Sequence, residues 1–246
     1  MPSLGIVSFN RKDIDNEYMR KIRSRAKSIE QCIDSNADVF DLLCQFILLN
    51  KTKDEYLRNF EGWEKQVRLL NETLKISNID EFLNSVKNAY DESTEAEISD
   101  LRGRLFEVIL ENIYSEKYKD SRLRRCIYES GCQIVIKNKE IMYSNPKEGT
   151  SKKTVDIAGY DMRDGEFYEA KVGPGNFDSL VISYLNFLKQ EASDKKICDN
   201  IIVGCMTMET RPNLMRNLMR VRLEDKVDFR GLVLIGREDI KNIICK

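Results

Sequence analysis

The chain has 246 residues, 41% hydrophobic and 33% charged, with a formal net charge of −1 and no histidine. The missing histidine excludes Ser-His-Asp and Cys-His nucleophiles, H-E-x-x-H zinc sites and any nuclease that uses a histidine base. No apolar run of about 18 residues is present and the N-terminus lacks a signal-like apolar core, so the expectation is a cytoplasmic protein with no membrane partner. The seven cysteines are scattered, with no C-x-x-C pair, and read as reduced thiols rather than a disulfide frame or zinc site.

Helical spacing dominates the first 90 residues. Residues 13–34 repeat Ile14, Tyr18, Ile22, Ala26, Ile29 and Ile33, and 37–50 (ADVFDLLCQFILLN) read as a buried helix. Residues 53–70 place Tyr56, Leu57, Phe60, Trp63, Val67 and Leu70 on one face, and 79–90 suggest a shorter helix. An all-helical N-terminal subdomain is therefore expected over 1–95, closed by an acidic linker at 91–97. A long helix follows from about 98 to 118, with Ser99 as its N-cap. From there the pattern changes. CQIVIK (132–137) and EIMYS (140–144) read as strands, 144–153 as an exposed loop, and 154–172 (TVDIAGYDMRDGEFYEAKV) as a β-hairpin. VGPGN (172–176) breaks the chain before an amphipathic helix at 177–192. A strand at 200–206, a helix at 213–223, a strand at 231–236 and a short final helix complete it. Residues 96–246 are expected to form an α/β (α+β) domain, a mixed central sheet flanked by helices.

The hairpin carries charge on strands that otherwise look buried: Asp156 on the first, Glu169 and Lys171 on the second. A six-residue loop pairs Tyr160 with Phe167; a tight Asp164-Gly165 turn pairs Arg163 with Glu166. Either register puts Asp156, Glu169 and Lys171 on one face, because side chains alternate. Two close carboxylates repel, and a hard divalent cation relieves that repulsion. Mg²⁺ fits, with Mn²⁺ as an expected substitute. A lysine beside it can position a water or stabilise a phosphate in flight, which suits phosphodiester hydrolysis. The competing reading is a cross-strand ion pair with no chemistry.

Asp-x₁₂-Glu-x-Lys in this setting resembles the catalytic core of the PD-(D/E)xK, or restriction-endonuclease-like, nuclease superfamily. The resemblance implies Asp156 and Glu169 as metal ligands, Ala170 as a carbonyl ligand and Lys171 as the water-positioning residue. Val155 stands where the family name has proline. The family core, a helix, a three-strand meander, a helix and a further strand, fits the order over 98–206. The bare [DE]-x-K pattern also occurs at Asp194, Glu224 and Asp239, but there in polar segments. Proteins of that superfamily often carry an acid on the preceding helix, where this sequence has Glu107 and Glu111, and helix geometry favours Glu107. It lies at the edge of a narrow polar wedge with Asp100, Glu111 and Arg104. A solvated helix glutamate is the alternative.

Lys152 and Lys153 flank the hairpin, and Arg216 and Arg220 lie four apart on one helix; all four are candidates for contacts with a nucleic-acid backbone. Met215, Met219, Leu214 and Leu218 read as core. Two basic runs, 117–125 and 211–222, are either solvated faces or parts of the same track. Gly173-Pro174-Gly175-Asn176 reads as a plain turn with an Asn cap, or as a phosphate-facing helix start. The resulting expectation is a Mg²⁺-dependent nuclease acting on DNA. It is either a homodimeric restriction enzyme or an antiviral defence effector controlled by a protein partner. The alternative is a non-catalytic nucleic-acid-binding or scaffold protein that keeps the fold.

Overall fold

The structure, a computed structural model, describes residues 1–12, 16–33, 36–119, 125–145 and 149–244, with Lys119 in its backbone only. The ends of the 13–34 helix, the centre of the 117–125 basic run, the tip of the 144–153 loop and Cys245 lie outside the described residues. In chain order the elements are β1 (Ser3–Leu4), β2 (Val7–Arg11), α1 (Glu17–Glu30), α2 (Ala37–Leu49), α3 (Lys53–Leu74), α4 (Ile79–Asp91) and α5 (Glu95–Lys119). There follow β3 (Ile127–Ile136), β4 (Lys139–Glu140), β5 (Tyr143–Asn145), β6 (Thr150–Lys152), β7 (Val155–Tyr160) and β8 (Asp164–Lys171). A 3₁₀ turn (Pro174–Asn176), α6 (Ser179–Asp194), β9 (Asn200–Thr207), α7 (Arg211–Asp225), β10 (Val233–Ile235) and α8 (Arg237–Ile244) complete the chain. No described helix is long and apolar enough to cross a membrane. Among the described residues no cysteine forms a disulfide.

The chain folds as two compact units, neither continuous in sequence. One joins Met1–Asp13 to Leu110–Gly236; the other joins Ile14–Ile109 to Arg237–Lys246. The division therefore does not fall at residue 95. Val7 and Phe9 are buried on β2, which pairs antiparallel with β3 and so belongs to the sheet. At the other end, α8 packs on α2, with Lys241 Nζ 2.9 Å from Asp38 and Arg237 Nε 3.2 Å from Asp41. The linker expected at 91–97 shrinks to three residues between α4 and α5. A capping box explains this: Thr94 N donates to Glu97 (2.8 Å) and Glu97 N to Thr94 Oγ1 (3.4 Å), so the helix starts before Ser99.

In the helical unit, Asn16 and Asn36 cap α1 and α2, and Thr52 with Glu55 forms a capping box on α3. Phe46 on α2 meets the rings of Tyr56, Phe60, Trp63 and Tyr90, which ties α2, α3 and α4 together. Arg25, almost fully buried, is held by Glu92 and Glu97.

In the other unit the sheet runs β1-β2-β3-β7-β8-β9-β10, with β4 beside β3. Neighbours are antiparallel up to β8; β8, β9 and β10 are parallel, joined by the crossovers α6 and α7. The strand expected at 140–144 does not form as one piece. Lys137 and Asn138, both at positive φ (51° and 64°), turn the chain into the short β4. Tyr143–Asn145 then pairs with Thr150–Lys152 as a separate two-stranded ribbon, so the expected exposed loop contains a strand. On α7, Leu214, Leu218 and Val221 are buried at i, i+4, i+7, while Met215 and Met219, expected in the core, are 43% and 40% exposed. Each methionine follows a buried leucine by one residue, about 100° around the helix, and so turns off the buried stripe.

The hairpin adopts neither expected register. Tyr160 pairs with Gly165, Ala158 with Phe167 and Ile157 with Tyr168. Asp161 sets the turn: its Oδ1 accepts from Arg163 N (3.0 Å) and Asp164 N (2.8 Å), and Met162 takes a positive φ of 71°. The shift from either expected register is an even number of residues, so no side chain changes face. One sheet face, with Phe167, Tyr160 and Cys205, packs on Leu185, Leu188 and Ile182 of α6. On the other, Tyr114 meets Tyr168 at 5.7 Å, and the Tyr118 ring fills the space a Cβ on Gly159 would need. Gly159→Ala should therefore cost about 1–3 kcal/mol, the usual scale of overpacking. Denaturant unfolding checks this, and Tyr118→Ala in the same chain should recover part of the loss.

Candidate functional site

Asp156 stands on β7, and continuing the register one step past Ile157–Tyr168 sets it opposite Glu169 on β8. Lys171 lies two residues further on the same face. The structure brings the three together. Lys171 Nζ is 2.6 Å from Glu169 Oε1 and 3.9 Å from Asp156 Oδ2. Asp156 Oδ2 also accepts from the backbone N–H of Ala170 at 2.8 Å, which locks it against the end of β8.

Glu169 is the most constrained of the set. It sits on a strand flanked on both sides by others, and its side chain is 1% exposed. A buried carboxylate costs several kcal/mol unless cations and hydrogen bonds compensate it. A second ammonium supplies part of that compensation: Lys152 Nζ lies 2.9 Å from the same Oε1. Lys152 is the residue the sequence misplaces. Expected on an exposed loop against nucleic acid, it ends β6, and its side chain is only 16% exposed. The ribbon packs on α6 through Tyr143 and Phe187, and the Lys152 ammonium lies 5.8 Å from the Tyr184 ring. Polar YSN and TSK segments carry no apolar alternation beyond Tyr143, so the sequence offered little signal for this placement.

Both ammoniums approach Oε1 as ion pairs whose geometry falls short of a hydrogen bond, and among the described residues the buried Oε2 has no hydrogen-bond partner. Burial pushes the Tyr184 phenol up, and the Glu169 charge pushes it further. The Cys205 thiol, opposite Glu169 on β9, is raised by burial and by Glu169, against a smaller lowering by Lys171. Both effects favour the protonated thiol over the thiolate at Cys205.

Among the described residues no three His, Cys, Asp or Glu side chains cluster as a metal site. The donors here are two carboxylates, from Asp156 and Glu169, with the Ala170 carbonyl between the two charged residues of β8. That set fits Mg²⁺, which commonly takes one or two carboxylates and keeps several waters. A buried acceptor without a partner is costly, and Oε2 of Glu169 is one among the described residues.

Four candidates remain. Glu107 falls in the helical unit, where its Oε2 is 2.9 Å from Arg104 Nη1. Lys153 is exposed. Arg216 and Arg220 are exposed on α7, and Arg220 donates to Asn217 Oδ1 at 3.1 Å. Asn217 in turn donates to the Pro174 carbonyl at 2.5 Å, which ties this helix to the turn that follows Lys171. The N-cap of α6 is Asp178 rather than Asn176, and its carboxylate accepts from Val181 N at 2.9 Å. An acid at that helix start removes it as a phosphate cradle. No protein-family model matches the sequence, and comparison with characterised proteins returns no match.

If Asp156 and Glu169 share a cation, Mg²⁺ or Mn²⁺ raises the melting temperature by mass action, worth about 2.7 kcal/mol at a hundredfold excess over Kd. Asp156→Asn should abolish the rise. A rise that persists in this variant would place the metal elsewhere.

Proposed function

We propose that the chain is a Mg²⁺-dependent nuclease that hydrolyses phosphodiester bonds, with DNA as the substrate. The observation that carries this is the convergence of Asp156, Glu169 and Lys171 on one sheet face around a buried carboxylate with an unpartnered oxygen. The run from α5 through the antiparallel neighbours β3, β7 and β8 to α6 and the parallel β9 supports it. That is the order the nuclease resemblance implies.

Asp156 and Glu169 would hold the metal, with the Ala170 carbonyl as a third donor. Bound there, Mg²⁺ supplies Lewis acidity and eases deprotonation of a water. Lys171 is partly exposed beside both acids, so its ammonium is open to a phosphodiester that approaches them from solvent. It orients the attacking water or neutralises charge developing on the phosphoryl oxygens. Asp156 keeps its orientation through the Ala170 N–H, so the ligand geometry is set before substrate binds. The exposed Arg216 and Arg220, on the helix tied to the turn after β8, form a track for the nucleic-acid backbone.

One observation favours a second reading. Lys152 gives Glu169 a second cation, so two acids and two ammoniums balance formally without metal. A protein that binds nucleic acid without cutting it needs nothing more.

Incubating plasmid with the protein and Mg²⁺, against an EDTA control, separates the two. Cleavage is expected only with metal: discrete bands for a restriction enzyme, a ladder for an unspecific effector. Lys171→Met keeps the stem and removes the charge, and should slow hydrolysis on the order of 10²-fold or more while metal-induced stabilisation persists. Near-wild-type cleavage by a folded Lys171→Met protein would remove the hairpin as the active site. Replacing Arg216 and Arg220 together should weaken duplex binding uniformly across sequences. It should also flatten the log–log salt dependence by about 0.9 per lost phosphate contact. An unaltered slope would return α7 to a purely structural role.

A further inference from the structure

We infer that Lys152 is a displaceable counter-ion of Glu169, one that holds the carboxylate while no metal is bound and must leave it for a divalent cation to bind. This rests on the metal reading of Asp156 and Glu169 proposed above. Lys152 thereby sets the metal affinity of the site; it is a positioning residue and not a catalytic one.

Asp156, Glu169, Lys171 and Lys152 are formally neutral as a set. A divalent cation on Glu169 would share that carboxylate with ammoniums at 2.6 and 2.9 Å. Like charges at such spacing repel strongly where water is excluded, and the Glu169 side chain is 1% exposed. One ammonium has to withdraw.

The two lysines are not equivalent. Lys171 extends from the same strand as Glu169 and bridges both acids. Its position is therefore tied to the same backbone that presents the ligands. Lys152 reaches Glu169 from another element, the last residue of β6 in a ribbon that is not hydrogen-bonded into the main sheet. Its stem is anchored on neither β7 nor β8, so withdrawal of Lys152 requires no change in either strand. In the seat beside Glu169 its ammonium also lies 5.8 Å from the centre of the Tyr184 ring, a second weak contact that the metal-free state holds. Lys152 and Lys171 both sit on Oε1, and among the described residues Oε2 has no hydrogen bond to lose when a metal arrives.

A purely structural lysine, there only to neutralise a buried acid, predicts something different. Removing it would weaken the fold and leave metal affinity unchanged or poorer. Removing a displaceable counter-ion also weakens the metal-free fold, but it tightens metal binding.

The test is calorimetric titration of Mn²⁺ alone, without nucleic acid, into the full chain as wild type, Lys152→Met, Lys152→Arg and Asp156→Asn. Far-UV circular dichroism in EDTA checks that each is folded; Lys152→Gln replaces Lys152→Met if the latter is not. The expected result is tighter Mn²⁺ binding by Lys152→Met, on the order of tenfold, the scale on which one adjacent charge shifts an ionic equilibrium. Lys152→Arg should stay near wild type. Equal or weaker binding by Lys152→Met, or an equal gain in Lys152→Arg, overturns the inference. If that happens while Asp156→Asn still loses binding, the metal site stands and only the role of Lys152 falls. If neither wild type nor the Lys152 variants bind Mn²⁺, the metal reading falls and this inference falls with it.

Discussion

A negative charge held inside a β-sheet is the constraint on which the site depends. The Glu169 side chain is nearly inaccessible, on a strand with neighbours on both sides. Such a group is tolerated only with compensating cations, and two are present, Lys171 from its own strand and Lys152 from the ribbon. The surrounding elements can be read as devices that hold those three groups in place. β7 brings Asp156 opposite, α6 supplies the Tyr184 face beneath Lys152, and β9 closes the far side with Cys205.

The same strand repeats the arrangement on its opposite face. Glu166 is also buried, and Lys117 from the C-terminal half of α5 pairs with it while lying over the rings of Tyr114 and Tyr118. The two glutamates differ in what is left over. Glu166 sits in an aromatic surround with its lysine, whereas Glu169 retains an oxygen without a partner and has a second carboxylate beside it. That difference is why the proposed chemistry is assigned to one face of β8 and not the other. Tyr118 also fills the space at Gly159, so the strand that carries Asp156 is packed close from behind.

The convergence of Asp156, Glu169 and Lys171 was legible in the sequence because it depends on parity, not on register. The real turn, built by Asp161, matched neither anticipated hairpin, yet an even shift preserves the faces. Helices were legible for a similar reason: a 3.6-residue period over four or more turns leaves a strong pattern in 53–70 or 79–90. Short polar strands leave none. β2 carries only Val7 and Phe9 as its buried alternation, and its partner β3 lies more than a hundred residues away in the chain. The ribbon that delivers Lys152 is polar on both strands, so its lysine looked like a surface charge. The interleaving of the two units was equally hidden. Nothing in the local pattern of 3–11 or 237–244 says which unit those segments will join.

The measurement that bears most directly on the central claim is anomalous diffraction from crystals grown or soaked with Mn²⁺. The expected result is a manganese peak within about 2.1 Å of carboxylate oxygens from both Asp156 and Glu169, with the Lys152 ammonium withdrawn from Glu169. The peak should vanish in Asp156→Asn crystals. Ordered Mn²⁺ bound elsewhere, with both lysines still seated on Glu169, would contradict a metal centre in this hairpin.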